Sequence, residues 1–183
     1  MKINTKSGLL DTARQVNSTN CDCRPDSRPI SLIVVHNISL PPGEFGGPYI
    51  DQLFTNQLNK NDHPYFADIY QLKVSSHLLI RRNGEIVQYV PFHQRAWHAG
   101  ASEYCGEERC NDFSIGIELE GTDDIPFEET QYQTLAKVIV ELQRSYPDIV
   151  KDAITGHSDI APGRKTDPGP AFDWNHLKQL LNT

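Results

Sequence analysis

Between Ile30 and His36 the chain reads Ile-Ser-Leu-Ile-Val-Val-His, and no part of Leu32-Ile-Val-Val35 offers water a polar face. A continuous aliphatic run of this length, rich in β-branched residues, is a strand that must be covered on both sides. That demand admits few architectures: the strand, read as Ser31–Asn37, belongs in the middle of a sheet with further layers packed on each face.

Other segments supply the rest of such a sheet. Ser114-Ile-Gly-Ile-Glu-Leu-Glu120 alternates, with Ile115, Ile117 and Leu119 on one face and Ser114, Gly116, Glu118 and Glu120 on the other. Val74–Arg82 and Glu85–Val90 flank Asn83-Gly84, a dipeptide that predicts a type I′ hairpin. Apolar residues at Tyr132, Leu135, Ala136, Ile139 and Leu142 keep helical spacing over 128–145, with Pro147 beyond the stop. Shorter helices are expected over Leu9–Gln15, from Pro48 to about Leu58, and over Asp173–Leu181, the last burying Trp174, Leu177 and Leu180. Strands and helices do not alternate strictly, so one central sheet with helices packed on it is expected. No repeat or long linker divides the 183 residues, which read as a single domain, 1–183.

Composition narrows the function classes. A net charge of −7 argues against a general nucleic-acid binder, and no apolar run approaches the roughly 20 residues of a membrane span. Met1-Lys-Ile-Asn-Thr-Lys-Ser7 lacks an apolar leader, so a cytoplasmic protein is expected. Cys21-x-Cys23 and Cys105-x₄-Cys110 match no zinc-knuckle spacing and are read as free thiols. Arg95, Arg109, Arg164 and Lys165 cluster near the segments that carry chemistry, as a carboxylate-bearing substrate would require; scattered solvated side chains are the plainer alternative.

Three residues stand out. His36 ends the buried strand, while His157 and Asp167 share the Pro/Gly-rich loop Gly156-His-Ser-Asp-Ile-Ala-Pro-Gly-Arg-Lys-Thr-Asp-Pro-Gly-Pro170. Alone, His36 could be a core histidine. Two imidazoles and one carboxylate together leave a tetrahedral Zn²⁺ one ligand short, which is the pattern of a catalytic rather than a structural site. Glu118, with Gly116 leaving space beside it, could move a proton between water and a leaving amine. A solvated strand face is the other reading and suits Glu120 better. Lys165 is close enough to Asp167 in sequence to meet a developing oxyanion, a plain surface lysine being the alternative. Trp97 and His98 could line a substrate groove, and His77 could pack in the hairpin or support a ligand. His63, His93 and His176 read as surface residues. A cysteine nucleophile, Cys105 or Cys110 paired with His98, would leave the 156–170 loop without a purpose.

Taken together, Val34–Pro48, Ser76–Pro91, Ala96-Trp-His-Ala-Gly100, Cys110–Gly121 and Gly156–Phe172 resemble the zinc-dependent N-acetylmuramoyl-L-alanine amidases. That superfamily includes phage amidase lysozymes and peptidoglycan recognition proteins, and the likeness is strongest to its bacterial cytoplasmic branch acting on 1,6-anhydro-muropeptides. The resemblance implies a mixed α/β fold, a single mixed sheet flanked by helices. It implies zinc held by His36, His157 and Asp167, with Glu118 as acid/base and Lys165 on the tetrahedral intermediate. Asn37, Trp97, His98, Arg109 and Arg164 would contact the muropeptide. Phage relatives carry Cys as third ligand and a catalytic Tyr just before the histidine matching His77; here those positions are Asp167 and Ser76, which leaves Glu118 to fill the Tyr role. The implied enzyme cleaves the bond between the lactyl group and L-Ala during cell-wall recycling, acts as a monomer, and indirectly keeps inducible β-lactamase expression low. A non-catalytic peptidoglycan-binding module is the alternative, but such modules usually lose a ligand and none is lost here.

Overall fold

In a computed structural model, which describes residues 1–25 and 28–182, the aliphatic run becomes an interior strand of a six-stranded sheet. Its strands are β1 (Arg14–Gln15), β2 (Leu32–Ile38), β3 (Leu78–Ile80), β4 (Ile86–Gln88), β5 (Ser114–Glu120) and β6 (Ile154–Gly156). They lie in the order β6-β2-β5-β3-β4-β1. The first four in that order run parallel, β4 is antiparallel to β3, and β1 is parallel to β4. The sheet is therefore mixed.

Five helices accompany it: α1 (Tyr49–Phe54), α2 (Phe66–Ile69), α3 (Glu129–Ser145), α4 (His157–Ile160) and α5 (Trp174–Leu181). Ile33, Val35, Ile115, Ile117, Leu78 and Ile80 share a core with Leu135, Val138, Ile139 and Leu142 of α3 and Leu177 of α5. Each such aliphatic side chain contributes about 1.5–3 kcal/mol by leaving water. Leu79 and Val87, on the other face, pack with Ile50, Leu53 and Phe54 of α1 and Phe66 of α2. Gln131 joins α3 to the sheet, its Nε2 donating to the carbonyls of Ile80 and Glu120. Trp174 and Leu180 lie against the core only partly buried, whereas Leu177 is enclosed.

Four local expectations are corrected. Leu9–Gln15 is not helical. Leu9–Leu10 pairs with Ile3–Asn4 in a small antiparallel ribbon, and Arg14–Gln15 becomes β1. The backbone amides there find tertiary partners: Leu10 N–H donates to Gln88 Oε1 at 2.9 Å, and Val16 N–H to the Gln88 carbonyl at 2.9 Å. The helix after Pro48 stops at Phe54, well before Leu58. Asn56 at φ +60° ends it, with Gln57 N–H reaching the Gln52 carbonyl and Asn56 N–H the Leu53 carbonyl, a Schellman closure. The β3–β4 hairpin does not turn through type I′. Of Asn83 and Gly84 only Gly84 has positive φ, +83°, and its N–H donates to the Arg81 carbonyl, as in a type I turn followed by a left-handed glycine. Finally, Glu120 is not solvated. It is 2% exposed and bonds Arg81 Nη1 at 3.1 Å and the amides of Gly46 and Arg82.

Candidate metal centre and cleft

Both faces of β5 are buried, and its register decides what meets what. Glu118 is paired with His36 across the parallel β2–β5 ladder, and Gly156, paired with Val35, delivers His157 directly after β6. Asp167 returns along the 156–170 loop, whose path is pinned where Ser158 N–H donates to the Asp167 carbonyl at 2.8 Å. His36 Nδ1, His157 Nδ1 and Asp167 Oδ2 then form a near-equilateral triangle, with sides of 3.0, 2.9 and 3.0 Å. Among the described residues this is a group of three able to hold a metal ion, the two histidines buried and the aspartate half-buried.

The outward nitrogen of His157, Nε2, lies 3.1 Å from the Ala99 carbonyl, a pure acceptor. The proton therefore sits on Nε2 and Nδ1 carries its lone pair into the triangle. Burial pushes the His36 imidazole down to about 4, outweighing the neighbouring Asp167 carboxylate that would raise it, so His36 is neutral at pH 7. For Asp167 burial works upward, but the His157 and His36 imidazoles beside it hold its carboxyl below the ordinary carboxylate range. Two ring nitrogens and one carboxylate oxygen converging on a single point present a lone-pair-rich pocket to a cation.

Glu118 is 8% exposed, and its Oε2 is buried without a hydrogen-bond partner. Burial, and then the charge of Asp167, push its carboxyl well above the ordinary range, opposed weakly by Lys165. A buried unpaired carboxylate is costly and is kept where it has work to do. His36, Glu118, His157, Lys165 and Asp167 line one cleft of about 430 Å³ together with Asn37, Trp97 and His98. Apolar side chains, Leu40, Leu53, Phe54, Tyr65, Ile69 and Leu72, supply the rest of its wall.

The remaining sequence-derived candidates divide. Lys165 is exposed on the rim. Both N–H groups of the Asn37 amide are committed, to Asp123 Oδ1 at 2.7 Å and the Pro168 carbonyl at 3.0 Å, so Asn37 clasps the Asp167 loop and only its oxygen is free. Arg109 is exposed, held at φ +64° and paired with Asp112 at 3.3 Å. It lines a neighbouring hollow with Arg164 rather than the cleft itself. Arg164 Nη2 donates to the carbonyls of Ala99 and Ala101, both at 2.6 Å, bracing the segment that follows His98. His77 is fully enclosed and does not touch the triangle; its Nδ1 accepts from Gly116 N–H and its Nε2 faces the Gln94 carbonyl. The four cysteines are all free. The space beside Glu118 expected at Gly116 is filled, since a Cβ there would lie 2.4 Å from His98 Cγ. No periodicity or motif in the sequence ties Asp123 or the apolar wall to the ligand residues.

Comparison with known proteins converges on the same chemistry. The sequence profile of N-acetylmuramoyl-L-alanine amidase matches residues 26–170. The 1,6-anhydro-N-acetylmuramyl-L-alanine amidase AmpD of Escherichia coli K12 is 62% identical over 177 residues, covering 97% of this chain and 96% of that protein. A crystal structure of a selenomethionine derivative of AmpD superposes with a TM-score of 0.95 at 61% identity, covering 99% of both chains. The E. coli amidase AmiD, solved in complex with anhydro-N-acetylmuramic acid-L-Ala-D-γ-Glu-L-Lys, gives a TM-score of 0.60 at 32% identity, covering 97% of this chain and 65% of that one. With the mixed sheet, the ligand triangle and the buried acid in place beneath that match, the chain belongs to the N-acetylmuramoyl-L-alanine amidase family.

Proposed function

We propose that this protein hydrolyses the amide joining the lactyl group of 1,6-anhydro-N-acetylmuramic acid to L-Ala, with zinc held by His36, His157 and Asp167, in the recycling of peptidoglycan. The observation that carries the reading is the unpartnered Oε2 of Glu118, buried in the cleft that the ligand triangle opens into. The donor set fits the metal: a tetrahedral zinc with bonds of about 2.0–2.2 Å sets its ligand atoms about 3.3–3.6 Å apart, close to the 2.9–3.0 Å triangle seen here. Zinc, when bound, supplies Lewis acidity to an amide carbonyl and to a water.

Glu118 Oε2 takes one proton from the attacking water, whose oxygen bonds the lactyl carbonyl carbon. As the C–N bond breaks, the same oxygen hands that proton to the L-Ala amine, and the new carboxylic acid releases its remaining proton to solvent, leaving a lactyl carboxylate and a free peptide. The Lys165 ammonium, on the rim, meets the negative charge on the carbonyl oxygen. Trp97 and the apolar wall flank the sugar, and Arg109 and Arg164 lie where carboxylates of the stem peptide could reach. The substrate is a small soluble muropeptide, and a monomer suffices for it. Among the described residues no helix is long and apolar enough to cross a membrane; a cytoplasmic site of action accords with a recycled substrate, and clearing it would lower β-lactamase induction.

The test is to incubate the protein with anhydro-muropeptide, with and without chelator, and to weigh the products. Anhydro-N-acetylmuramic acid and free peptide should appear, vanish with chelator and return with zinc. Cleavage indifferent to chelator, or no cleavage by zinc-loaded protein, would overturn the reading.

A further inference from the structure

His98 lies on the cleft wall, yet neither of its ring nitrogens is free to meet a substrate. Nδ1 is 3.0 Å from His36 Nε2, and Nε2 is 3.1 Å from Ser114 Oγ. The two rings stand edge to face, with centroids 5.1 Å apart. His98 is seated tightly: the ring occupies the space over Gly116 that any side chain there would need, and Asn111 Oδ1 accepts from the backbone amides of His98 and Ala99 at 3.1 and 2.8 Å.

Proton accounting along this line has one solution. Ser114 Oγ is 2.5 Å from the Cys110 carbonyl, which can only accept, so the hydroxyl proton points there. Ser114 Oγ must then accept from His98 Nε2–H. A neutral imidazole protonated on Nε2 has a bare Nδ1, so His98 accepts from His36 Nε2–H. His36 in turn keeps its proton on Nε2 and turns the lone pair of Nδ1 toward His157 and Asp167. Histidine ligands usually fix their tautomer by donating to a carboxylate or carbonyl, as His157 does to Ala99. The acceptor for His36 is itself an imidazole with two tautomers, and it needs a third group to settle which one it adopts.

We propose that Ser114 and His98 form a positioning relay that sets the tautomer of the metal ligand His36, and that His98 acts through His36 rather than by touching the substrate. The inference rests on the zinc reading above. Without the acceptor at His98 Nδ1, His36 can place its proton on Nδ1, where it competes with the metal.

The relay is tested by zinc affinity, measured by competition with a chromogenic chelator, and by KM for anhydro-muropeptide on zinc-saturated protein. His98→Phe keeps a ring but removes the acceptor and should weaken zinc binding about 10- to 100-fold. His98→Asn places its amide oxygen where Nδ1 stood and should recover affinity to within about threefold of wild type, a rescue that a purely structural role for the ring would not give. Ser114→Ala, which deletes a single oxygen, should weaken zinc about 2- to 10-fold, the worth of one hydrogen bond. It carries the test if the Phe variant does not fold. Unchanged zinc affinity in His98→Phe or in folded Ser114→Ala, or a raised KM with zinc binding intact in His98→Phe, would overturn the relay. Failure of wild-type protein to hold zinc against the chelator would instead overturn the metal reading itself.

Discussion

Replacing Glu118 by Gln should make the metal-free protein more stable while disabling it. Glu118 is 8% exposed and its Oε2 has no partner, so ionising it costs folding free energy that a neutral amide of the same shape does not. A buried unsatisfied polar group costs about 1–3 kcal/mol, more when charged. For a chain of this length each kcal/mol moves the melting temperature by about 2–4 °C, so Glu118→Gln should melt about 2–12 °C above wild type near neutral pH. The pH dependence has a definite sign. Burial and the neighbouring Asp167 charge raise the folded-state pKa above the unfolded one, so the native state binds the extra proton. Wild-type stability therefore falls as pH rises from the ordinary carboxylate range through the raised value. The advantage of Gln should be largest above that window and shrink below the ordinary range, where Glu118 is protonated in both states. Thermal melts of both proteins across this range, with chelator present, measure it. With zinc restored, the variant should turn over about 10²–10⁴-fold more slowly. Equal melting temperatures at neutral pH would show that the carboxylate is solvated or paired, and the case for an orphaned acid would fail.

Lys165→Ala should lower kcat and kcat/KM together by about a hundredfold with zinc content intact, because its partner charge exists only in the transition state. Lys165→Arg should recover part of that loss; an emptied zinc site would instead make the lysine a prop for the Asp167 loop. Arg109→Ala should raise KM for anhydro-muropeptide while leaving kcat near wild type, and an unchanged KM would remove Arg109 from the substrate site. Arg81→Ala strands Glu120, 2% exposed, without its 3.1 Å ion pair. Breaking one side of a buried pair costs about 3–5 kcal/mol, so the melting temperature should drop by about 6–20 °C, and a drop under 2 °C would count against that pair.

What could be read in the sequence was what repeats. The aliphatic run of β2, the alternation of β5 and the helical spacing of α3 each announced a strand or helix, because burial selects side chains at the period of the backbone. What escaped were features decided by a partner far along the chain. The N-terminal ribbon is ordered by Gln88, a residue some 78 positions from Leu10. Glu120 looked solvated because Arg81 lies 39 residues away. Nothing in Ala96-Trp-His-Ala-Gly100 shows that both ring nitrogens of His98, read there as lining a groove, lie beside His36 and Ser114. The space left by Gly116 was legible, but its occupant was not. Asn56 and Gly84 were visible as left-handed residues in principle; each changed a boundary or a turn type rather than the fold.

The site itself follows from register. His36 pairs with Glu118 across β2 and β5, and Gly156, the last residue of β6, pairs with Val35, so His157 opens α4 at the end of that row. That row lies toward the carboxyl ends of the strands, where parallel sheets place their ligands. His36 and Glu118, a candidate metal ligand and the proposed proton carrier, are thereby fixed by the backbone ladder, and His157 by the strand end that precedes it. Because side chains alternate with a period of two, a slip of one residue between β2 and β5 would turn Glu118 or His36 to the opposite face, into the aliphatic layer beneath α3. The hydrophobic pattern that forbids such a slip is the same pattern that makes the strands. Only Asp167 reaches the row from a loop, and that loop is the one clasped by Asn37 at Pro168 and by Ser158 at the Asp167 carbonyl. Stability and site geometry are thus specified by the same residues along β2 and β5, and where the chain leaves the sheet separate side chains hold the Asp167 loop to them.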